Sequence, residues 1–351
     1  RIVVRVPSLY VGTAIANFNT PTRGFLSTHS ADALRYNFNT TNNIYMNIAK
    51  ATYCVRRVCT ILFVILSVLC LSWPLASMAK KRALLIGISQ YPQTTRNNPC
   101  TWTNIHGSND VRLLRGTLQK QGFRITTLTN AQATASHIRR ALKRLCQQAA
   151  KGDMVVIHFS GHGQPFEDLS GDEADGWDEA IVPYDAKKCY SRTYTGRCHI
   201  IDDELERYIN NLRTTVGPRG FVYVVLDACH MGGASRDESE ADSAACARGT
   251  NVGFSPNGRT YIPRIDRRGH FTVKASPRMA GVCYIESCRA YQTNTEIYEQ
   301  GQYYGPLSFY ISQALQHTPL THNLQWVHKV VEAMQHDKRL IKQNPVIETD
   351  R

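Results

Sequence analysis

Hydrophobic and polar positions along residues 82–349 define two kinds of segment. Short apolar runs bounded by glycine or polar residues predict buried strands at 82–88, 124–129, 154–160, 221–228, 282–287 and 345–349. Between them, apolar residues recur at helical spacing and predict helices starting near 110 and 202 and spanning about 138–149, 306–316 and 323–335. Strands that alternate with helices are joined by right-handed crossovers. The pattern therefore predicts an α/β fold with a mainly parallel central sheet flanked by helices on both faces.

One segment departs from this pattern. Residues 231–280 are rich in Gly, Ser and Arg and show little apolar periodicity, so we predict a long loop there. The chain shows no internal repeat, and residues 80–351 are best interpreted as one domain.

The amino-terminal quarter has a different character. Residues 58–79 are apolar and uncharged, two arginines precede them, and small residues stand at Ser77 and Ala79. These features are typical of a secretory signal peptide, here residues 46–79, cleaved near Ala79. The alternative is a membrane anchor, because the stretch approaches the length of a span, but Pro74 favours a cleavage region. We expect export to a periplasm, a cell surface or the medium, with only transient membrane contact.

Residues 1–45 are polar, rich in Asn and Thr, and precede Met46, which opens a typical signal-peptide start. We interpret them as upstream sequence outside the native protein or as a disordered tail.

Composition narrows the class of protein. The chain has 351 residues, of which 42% are hydrophobic and 9% aromatic, which excludes a fully disordered chain, a collagen-like repeat and a polytopic membrane protein. The net charge of +13 is unevenly spread: residues 1–79 hold seven basic residues and one acidic residue, which leaves a moderate surplus of +7 for residues 80–351. No long basic run occurs in the folding part, so a nucleic-acid partner is not expected.

The chain has eleven cysteines, a high number for a cytosolic protein. Cys189 and Cys198 flank a short loop that contains glycine, and they form the disulfide that we predict for an oxidising compartment. No CxxC pair has a zinc-type partner, so no structural metal cluster is predicted.

Two strand ends carry side chains suited to catalysis. His162 lies between two glycines after the strand at 154–160, and Cys229 follows the strand at 221–228. Active sites of open parallel sheets gather beyond the carboxyl ends of the strands. There an imidazole can raise the thiolate fraction of a cysteine, so we predict Cys229 as nucleophile and His162 as general base. The backbone amides of Gly163 and Cys229 are candidates for an oxyanion hole. The alternative is that Cys229 is a buried packing residue.

Segments at these positions, HFSGHG and DACHMGG, resemble the caspase and metacaspase family of cysteine peptidases (peptidase C14). Further matching segments follow in the family order: KRALLIGISQYP (81–92), SNDVRLL (108–114), GDEADGWDEAIVPYDA (171–186), IIDDELERYI (200–209), CRAYQTNTE (288–296) and GPLSFYISQAL (305–315). The resemblance implies a caspase-like three-layer sandwich and peptide-bond hydrolysis by a Cys/His dyad. Met231 stands where Ser is more usual, a departure expected to alter the rim of the site only.

Side chains two residues apart on a strand share a face, so Asp227 projects with Cys229, and Ser160 with His162. The resemblance adds Asp110 as a second acidic wall. Two carboxylates favour an Arg or Lys before the scissile bond, as in metacaspases. The alternative for Asp227 is a structural cap on the following loop.

The resemblance also brings calcium into consideration. The reaction requires no cofactor, but Ca²⁺ is a candidate activator, since hard oxygen ligands suit it. Its candidate ligands are acidic residues of two segments: Asp172, Glu173, Asp202 and Asp203. An acidic, solvated surface is the alternative.

Together these features predict an exported cysteine endopeptidase that cleaves polypeptides after Arg or Lys. The basic loop at 231–280 is a candidate for self-processing, or else an ordinary exposed loop. A catalytically silent binding or scaffold protein of the same fold is the alternative from another class.

Overall fold

The computed structural model describes residues 28–72, 79–92, 100–229, 246–265, 273 and 275–350. The chain divides into two compact units, residues 1–76 and 77–351. The described part of the first unit is the helix α1 (Thr28–Ser72), which runs across residue 46. Among the described residues, no helix combines the length and the apolar character that crossing a membrane requires. Residues 73–78, next to the predicted cleavage point, lie outside the described part, and the signal peptide stays a prediction.

The second unit is built on a six-stranded sheet in the order β11-β8-β7-β3-β1-β2. Its strands are β1 (Lys81–Gly87), β2 (Arg124–Thr129), β3 (Met154–Ser160), β7 (Phe221–Asp227), β8 (Gly281–Glu286) and β11 (Val346–Thr349). All neighbours pair in parallel except β11, which is antiparallel to β8. Strands β3 and β7 are buried along their full length, as expected for central strands covered on both faces.

Helices cover both faces of this sheet. The helices are α2 (Gly107–Lys120), α3 (Ala135–Gln148), α4 (Asp202–Val216), α5 (Pro306–His317) and α6 (Gln325–His336). Helices α3 and α4 pack in one hydrophobic core with residues such as Ile157 and Val224, while α2, α5 and α6 pack in a second core with their strand neighbours Val156 and Val225. Alternate strand residues thus feed opposite cores, which confirms the predicted three-layer sandwich.

Two smaller sheets complete the unit. Strands β4 (Gly163–Glu167), β5 (Trp177–Ile181) and β6 (Ile200–Ile201) form an antiparallel sheet, and β9 (Ile297–Glu299) pairs with β10 (Gln302–Tyr304) as a hairpin. The sequence pattern predicts no strand in the first of these regions, because its strands are short and charged residues lie among them.

Candidate active site

The predicted nucleophile and base come from adjacent strands. In the register of β3 with β7, Ser160 pairs with Asp227. His162 and Cys229 each follow two residues later, at the same carboxyl edge of the sheet. The turn between Ser160 and His162 needs glycine, because a Cβ on Gly161 would lie 2.6 Å from the Phe159 ring.

His162 is held in one orientation. Its Nε2 atom lies 2.8 Å from the backbone oxygen of Thr103, its ring stacks on Trp102 at 4.9 Å, and its backbone N–H donates to the Tyr91 hydroxyl. A carbonyl oxygen only accepts, so Nε2 carries the proton and Nδ1 keeps its lone pair. Nδ1 is buried and has no hydrogen-bond partner within the described residues. Burial lowers the pKa of His162 to about 4, so the ring is neutral at ordinary pH.

Cys229 is buried, with 1% of its surface exposed. Its thiol donates to the backbone oxygen of Gln292 at 2.6 Å, and its backbone N–H donates to the oxygen of Arg248 at 3.0 Å. Met231 and the neighbouring His230 lie outside the described residues. His158, the other histidine of this strand, is buried, and its Nε2 lies 2.8 Å from the Ser308 hydroxyl.

The two amides predicted for the oxyanion hole meet at one atom. Gly163 N–H and Cys229 N–H donate to the same carbonyl oxygen, that of Arg248, at 3.2 and 3.0 Å. Two N–H groups that converge on one carbonyl oxygen form the arrangement that stabilises negative charge on such an oxygen. The structure therefore brings both predicted amides together and places a carbonyl of the chain itself between them.

The predicted pocket residues also converge, and the side chain of Arg248 fills the space between them. Its Nη1 lies 2.8 Å from Asp110, 2.5 Å from the Ser160 hydroxyl and 3.8 Å from Asp227. Its Nη2 lies 2.8 Å from Glu296. Arg248 and its three carboxylates are all buried. The pocket is thus built of three carboxylates and holds one guanidinium.

Asp110 and Asp227 differ in what else they bind. Asp110 accepts hydrogen bonds from the Ser160 hydroxyl at 2.6 Å and from Gly305 N–H. Burial raises the pKa of Asp110 to about 7, although the Arg248 charge acts in the opposite direction. Asp227 accepts from the Asn294 amide and from Ser308 N–H in the first turn of α5, each at 2.8 Å. Asp227 therefore caps the first turn of α5, which is a different structural role from the cap on the following loop that was its predicted alternative.

Residues 246–248 lie across the candidate site as a short strand that pairs with residues 294–296. We call the groove that they occupy the cleft. Ala247 forms an antiparallel bridge with Thr295, Arg248 N–H donates to the oxygen of Asn294 at 2.9 Å, and Glu296 N–H donates to the oxygen of Cys246 at 3.2 Å. Peptides are commonly bound in this way, by main-chain hydrogen bonds to an exposed edge.

Two residues of this pocket, Glu296 and Arg248, were not predicted from the sequence. Glu296 ends the segment CRAYQTNTE (288–296), which was identified only through the family resemblance. Arg248 is one of several basic residues of the 231–280 loop, and no sequence pattern distinguishes it from the others.

The predicted Cys189–Cys198 disulfide is wrong. Cys189 pairs with Cys100, 89 residues away, with a Cα–Cα distance of 5.2 Å. Cys198 is free and half-buried. Its thiol is hydrogen-bonded to Asp185, and burial together with that carboxylate raises its pKa. The prediction relied on the short distance in sequence between Cys189 and Cys198. In the structure, Cys198 instead packs against a hydrophobic cluster that includes the buried Tyr194.

The predicted calcium ligands only partly converge. Within the described residues, carboxylate oxygens of Asp168, Asp172 and Asp178 lie within 4.8 Å of one another. Burial, followed by repulsion from neighbouring carboxylates, raises the pKa of Asp178 to about 7 and that of Asp202 to about 9. Asp168, Asp172 and Asp178 are the residues that would hold a hard divalent cation such as Ca²⁺. Of the four predicted ligands, only Asp172 belongs to the converging set. Asp202 and Asp203 lie in the first turn of α4, and Glu173 is close enough for the converging carboxylates to repel its charge.

Comparison with known proteins agrees with this geometry. Metacaspase-1B of Aspergillus fumigatus is 27% identical over 289 residues, which cover 73% of this chain and 66% of that protein. Metacaspase-1A of Aspergillus terreus is 28% identical over 289 residues, covering 72% of this chain and 66% of that protein. The chain thus spans slightly less than two thirds of the length of these relatives.

A solved structure of a protein from Geobacter sulfurreducens shares the fold, with a TM-score of 0.51, 19% identity and coverage of 77% of this chain and 93% of that one. The family model of the caspase domain matches residues 80–351. The chain therefore belongs to the caspase-domain family, peptidase C14.

Proposed function

We propose that this chain is a cysteine endopeptidase that cleaves after Arg or Lys, with Cys229 and His162 as its catalytic residues. One observation carries the proposal: Arg248 of the chain occupies the cleft as the residue before a scissile bond would. Its guanidinium lies among Asp110, Asp227 and Glu296, while its carbonyl oxygen accepts two backbone N–H groups.

The first chemical step needs a base for the thiol. The Thr103 carbonyl holds the proton of His162 on Nε2, so Nδ1 is the atom that accepts a proton. Nδ1 takes the proton of Cys229, whose sulfur then attacks the carbonyl carbon of the substrate arginine. The Gly163 and Cys229 amides stabilise the negative oxygen that forms.

Collapse of this intermediate breaks the C–N bond, and His162 returns its proton to the leaving amine. A thioester then joins Cys229 to the amino-terminal part of the substrate. Water, deprotonated by His162, hydrolyses the thioester and releases a carboxylate and free Cys229.

Three buried carboxylates around one cation explain the preference for basic residues. An acidic side chain in this pocket would add a fourth negative charge without a partner, which is strongly unfavourable in a buried site. A guanidinium contacts several carboxylates at once, whereas an ammonium acts as a point charge. We therefore expect Arg to be cleaved faster than Lys, and Asp to be rejected.

The same geometry supports self-processing, with Arg248–Gly249 as the bond that is cut. Residues 246–248 already have the extended conformation and the pocket contacts of a bound substrate. In the uncut chain this segment blocks the cleft to other peptides.

A peptide assay tests the activity. The full chain is incubated with fluorogenic peptides ending in Arg, Lys or Asp, alongside Cys229→Ala and His162→Ala variants. We expect hydrolysis of the Arg and Lys peptides by the wild-type chain only. A labelled Arg chloromethyl ketone should alkylate Cys229. Its failure to do so, with no hydrolysis by cut or uncut chain, would instead support a catalytically silent scaffold of the same fold.

Mass spectrometry of the purified chain tests self-processing. We expect a new amino terminus at Gly249 in the wild-type protein and in Arg248→Lys, and none there in Arg248→Ala or Cys229→Ala. The matched control is Arg264→Ala, because Arg264 is exposed in the same loop. Cleavage that follows Arg264 rather than Arg248 would contradict the assignment.

We also propose export and calcium activation. The Cys100–Cys189 disulfide supports an oxidising compartment, and amino-terminal sequencing of the exported protein would locate cleavage near Ala79. Asp168, Asp172 and Asp178 would hold Ca²⁺, which would neutralise their mutual repulsion. We expect Ca²⁺ to raise the Tm of the wild-type chain but not that of Asp172→Asn/Asp178→Asn; equal shifts in both would exclude this site.

A further inference from the structure

A second buried cysteine lies beside Cys229. Cys288 follows β8, the strand next to β7, and only 4% of its surface is exposed. The strands leave the sheet together, because Ser287 N–H donates to the oxygen of Leu226 and the Ser287 hydroxyl donates to the oxygen of Ala228. Cys288 therefore lies next to the segment that carries the nucleophile.

The two sulfur atoms share one acceptor. The Cys229 thiol lies 2.6 Å and the Cys288 thiol 3.5 Å from the backbone oxygen of Gln292. The two cysteine side chains are also hydrogen-bonded to each other, and this bond together with burial raises the pKa of Cys288 well above its usual range. The turn that presents the shared oxygen is fixed, since the Gln292 side chain accepts from Arg289 N–H and Asn344 N–H.

This arrangement gives the two thiols different chemistry. Cys288 stays protonated at ordinary pH, whereas Cys229 is the thiol from which His162 would remove the proton in the proposed reaction. A thiolate is the form that peroxides oxidise, and a neighbouring thiol is what converts the oxidised form into a disulfide. The peptidase reaction proposed above makes no use of Cys288.

We propose that Cys288 is a resolving cysteine, which forms a reversible disulfide with Cys229 when a peroxide oxidises the nucleophile. The Cys229 thiolate attacks one oxygen of the peroxide, the O–O bond breaks, and a sulfenic acid and hydroxide result. The Cys288 sulfur then attacks the Cys229 sulfur, the S–O bond breaks, and water leaves with the Cys288 proton. Two thiols and one hydrogen peroxide thus give one disulfide and two waters.

The disulfide would protect the nucleophile from irreversible oxidation. Without a resolving thiol, a sulfenic acid proceeds to sulfinic and sulfonic acids. The proposed inhibition of cleavage rests on the proposed peptidase function, whereas formation of the crosslink itself does not.

Non-reducing peptide mapping of the full chain after hydrogen peroxide treatment tests the crosslink directly. We expect a Cys229–Cys288 peptide and loss of two free thiols per chain, with the Cys100–Cys189 peptide unchanged. A Cys229–Cys246 peptide, or Cys229 found only as sulfinic or sulfonic acid, would overturn the proposal. This measurement needs no variant and no activity.

Variants add the functional consequence. In Cys288→Ser, and in Cys288→Ala as a second substitution, peroxide should leave Cys229 as sulfinic or sulfonic acid, and dithiothreitol should not restore peptide hydrolysis. The wild-type chain and the control Cys283→Ser, a buried cysteine of the same strand, should recover. Recovery of the Cys288 variants equal to that of wild type would contradict the inference. A crosslink in a chain without hydrolysis would refute the peptidase function alone.

Discussion

Glu296 connects the guanidinium of Arg248 with the imidazole of His106. Its two oxygens lie 2.8 Å from Arg248 Nη2 and 2.7 Å from His106 Nδ1. It is the third carboxylate of the pocket, and it belongs to a segment that also pairs with the occupying strand. Under the proposed function, its charge would contribute to recognition of a basic residue together with the charges of Asp110 and Asp227.

Replacement of Glu296 by Gln should weaken selection of arginine. A hydrogen bond to a charged group contributes about 1.5–3 kcal/mol, so kcat/KM for Arg peptides should fall roughly 10- to 100-fold. Steady-state kinetics with the processed chain measure the change. Glu299→Gln is the control, since Glu299 pairs with Arg339 at a half-exposed site. Equal kinetics for Glu296→Gln and wild type would show that Glu296 does not contribute to the pocket.

His199 gives a prediction about acid stability at the scale of one residue. It is 3% exposed, it contacts the Tyr194 hydroxyl and Gln164, and burial lowers its pKa to about 3. The unfolded chain binds a proton near pH 6.5 and the folded one does not. The contribution of His199 to stability is therefore complete above pH 6.5 and is lost as the pH falls from there toward 3.

Comparison of wild type with His199→Gln isolates this contribution. Between pH 6 and 4, the free energy of unfolding of the wild type should fall faster, by up to about 1.4 kcal/mol per pH unit. Urea unfolding at several pH values measures the slopes. His317→Gln, at an exposed position, should behave as wild type. Parallel slopes for all three proteins would show that His199 does not titrate as described.

At the scale of elements, a buried ion pair connects α4 to the residues after β11. Arg213 Nη2 lies 2.6 Å from Asp350, and Arg213 Nε donates to the oxygen of Ala280 at 2.9 Å. The other oxygen of Asp350 accepts from Val282 N–H, beside the start of β8. The antiparallel edge strand is thus connected to a helix and to its neighbouring strand through one carboxylate.

Asp350→Ala would remove the carboxylate that pairs with the buried guanidinium of Arg213. Breaking a buried pair in this way costs about 3–5 kcal/mol, so we expect a marked drop in the free energy of unfolding. Chemical denaturation measures it, with Asp337→Ala as the comparison, since Asp337 pairs with the half-exposed Arg339. A change of the same small size in both variants would contradict the role assigned to Asp350.

The main sheet and its helices could be predicted from sequence because their apolar residues repeat at the spacing of strands and helices. Cys229 and His162 could be placed because strand ends of a parallel sheet meet at one edge. The insertion of Arg248 could not be predicted, since residues 246–248 have no periodicity and bind through their backbone and one side chain. The strands β4–β6 were missed because charges interrupt them.

At the scale of the whole molecule, the Cys100–Cys189 disulfide joins two cysteines that are 89 residues apart in sequence. It joins the segment that carries Trp102, on which His162 stacks, to the loop after β5. The predicted pairing of Cys189 with Cys198 was wrong, because disulfide formation depends on the distance between the cysteines in space, and spacing in the sequence does not reveal that distance.

Cys189→Ser should lower the free energy of unfolding by about 2–5 kcal/mol, the usual cost of losing such a crosslink. Peptide hydrolysis should fall as well, because Trp102 would support His162 less firmly. Thermal unfolding and kinetics measure both effects. Cys198→Ser is the control, since Cys198 is free. A Tm for Cys189→Ser equal to that of the control would indicate that the bond adds no stability.

The strand at residues 246–248 has a consequence for any molecule designed to bind this cleft. A segment attached by a short tether competes at an effective concentration on the order of millimolar. A ligand must therefore displace this segment, so its apparent Kd for the intact chain should exceed its Kd for the vacant cleft. Because a cut after Arg248 would leave residues 246–248 joined to Cys229 through residues 230–245, screens on intact protein and on protein cut once at this bond would both underestimate the affinity of such compounds.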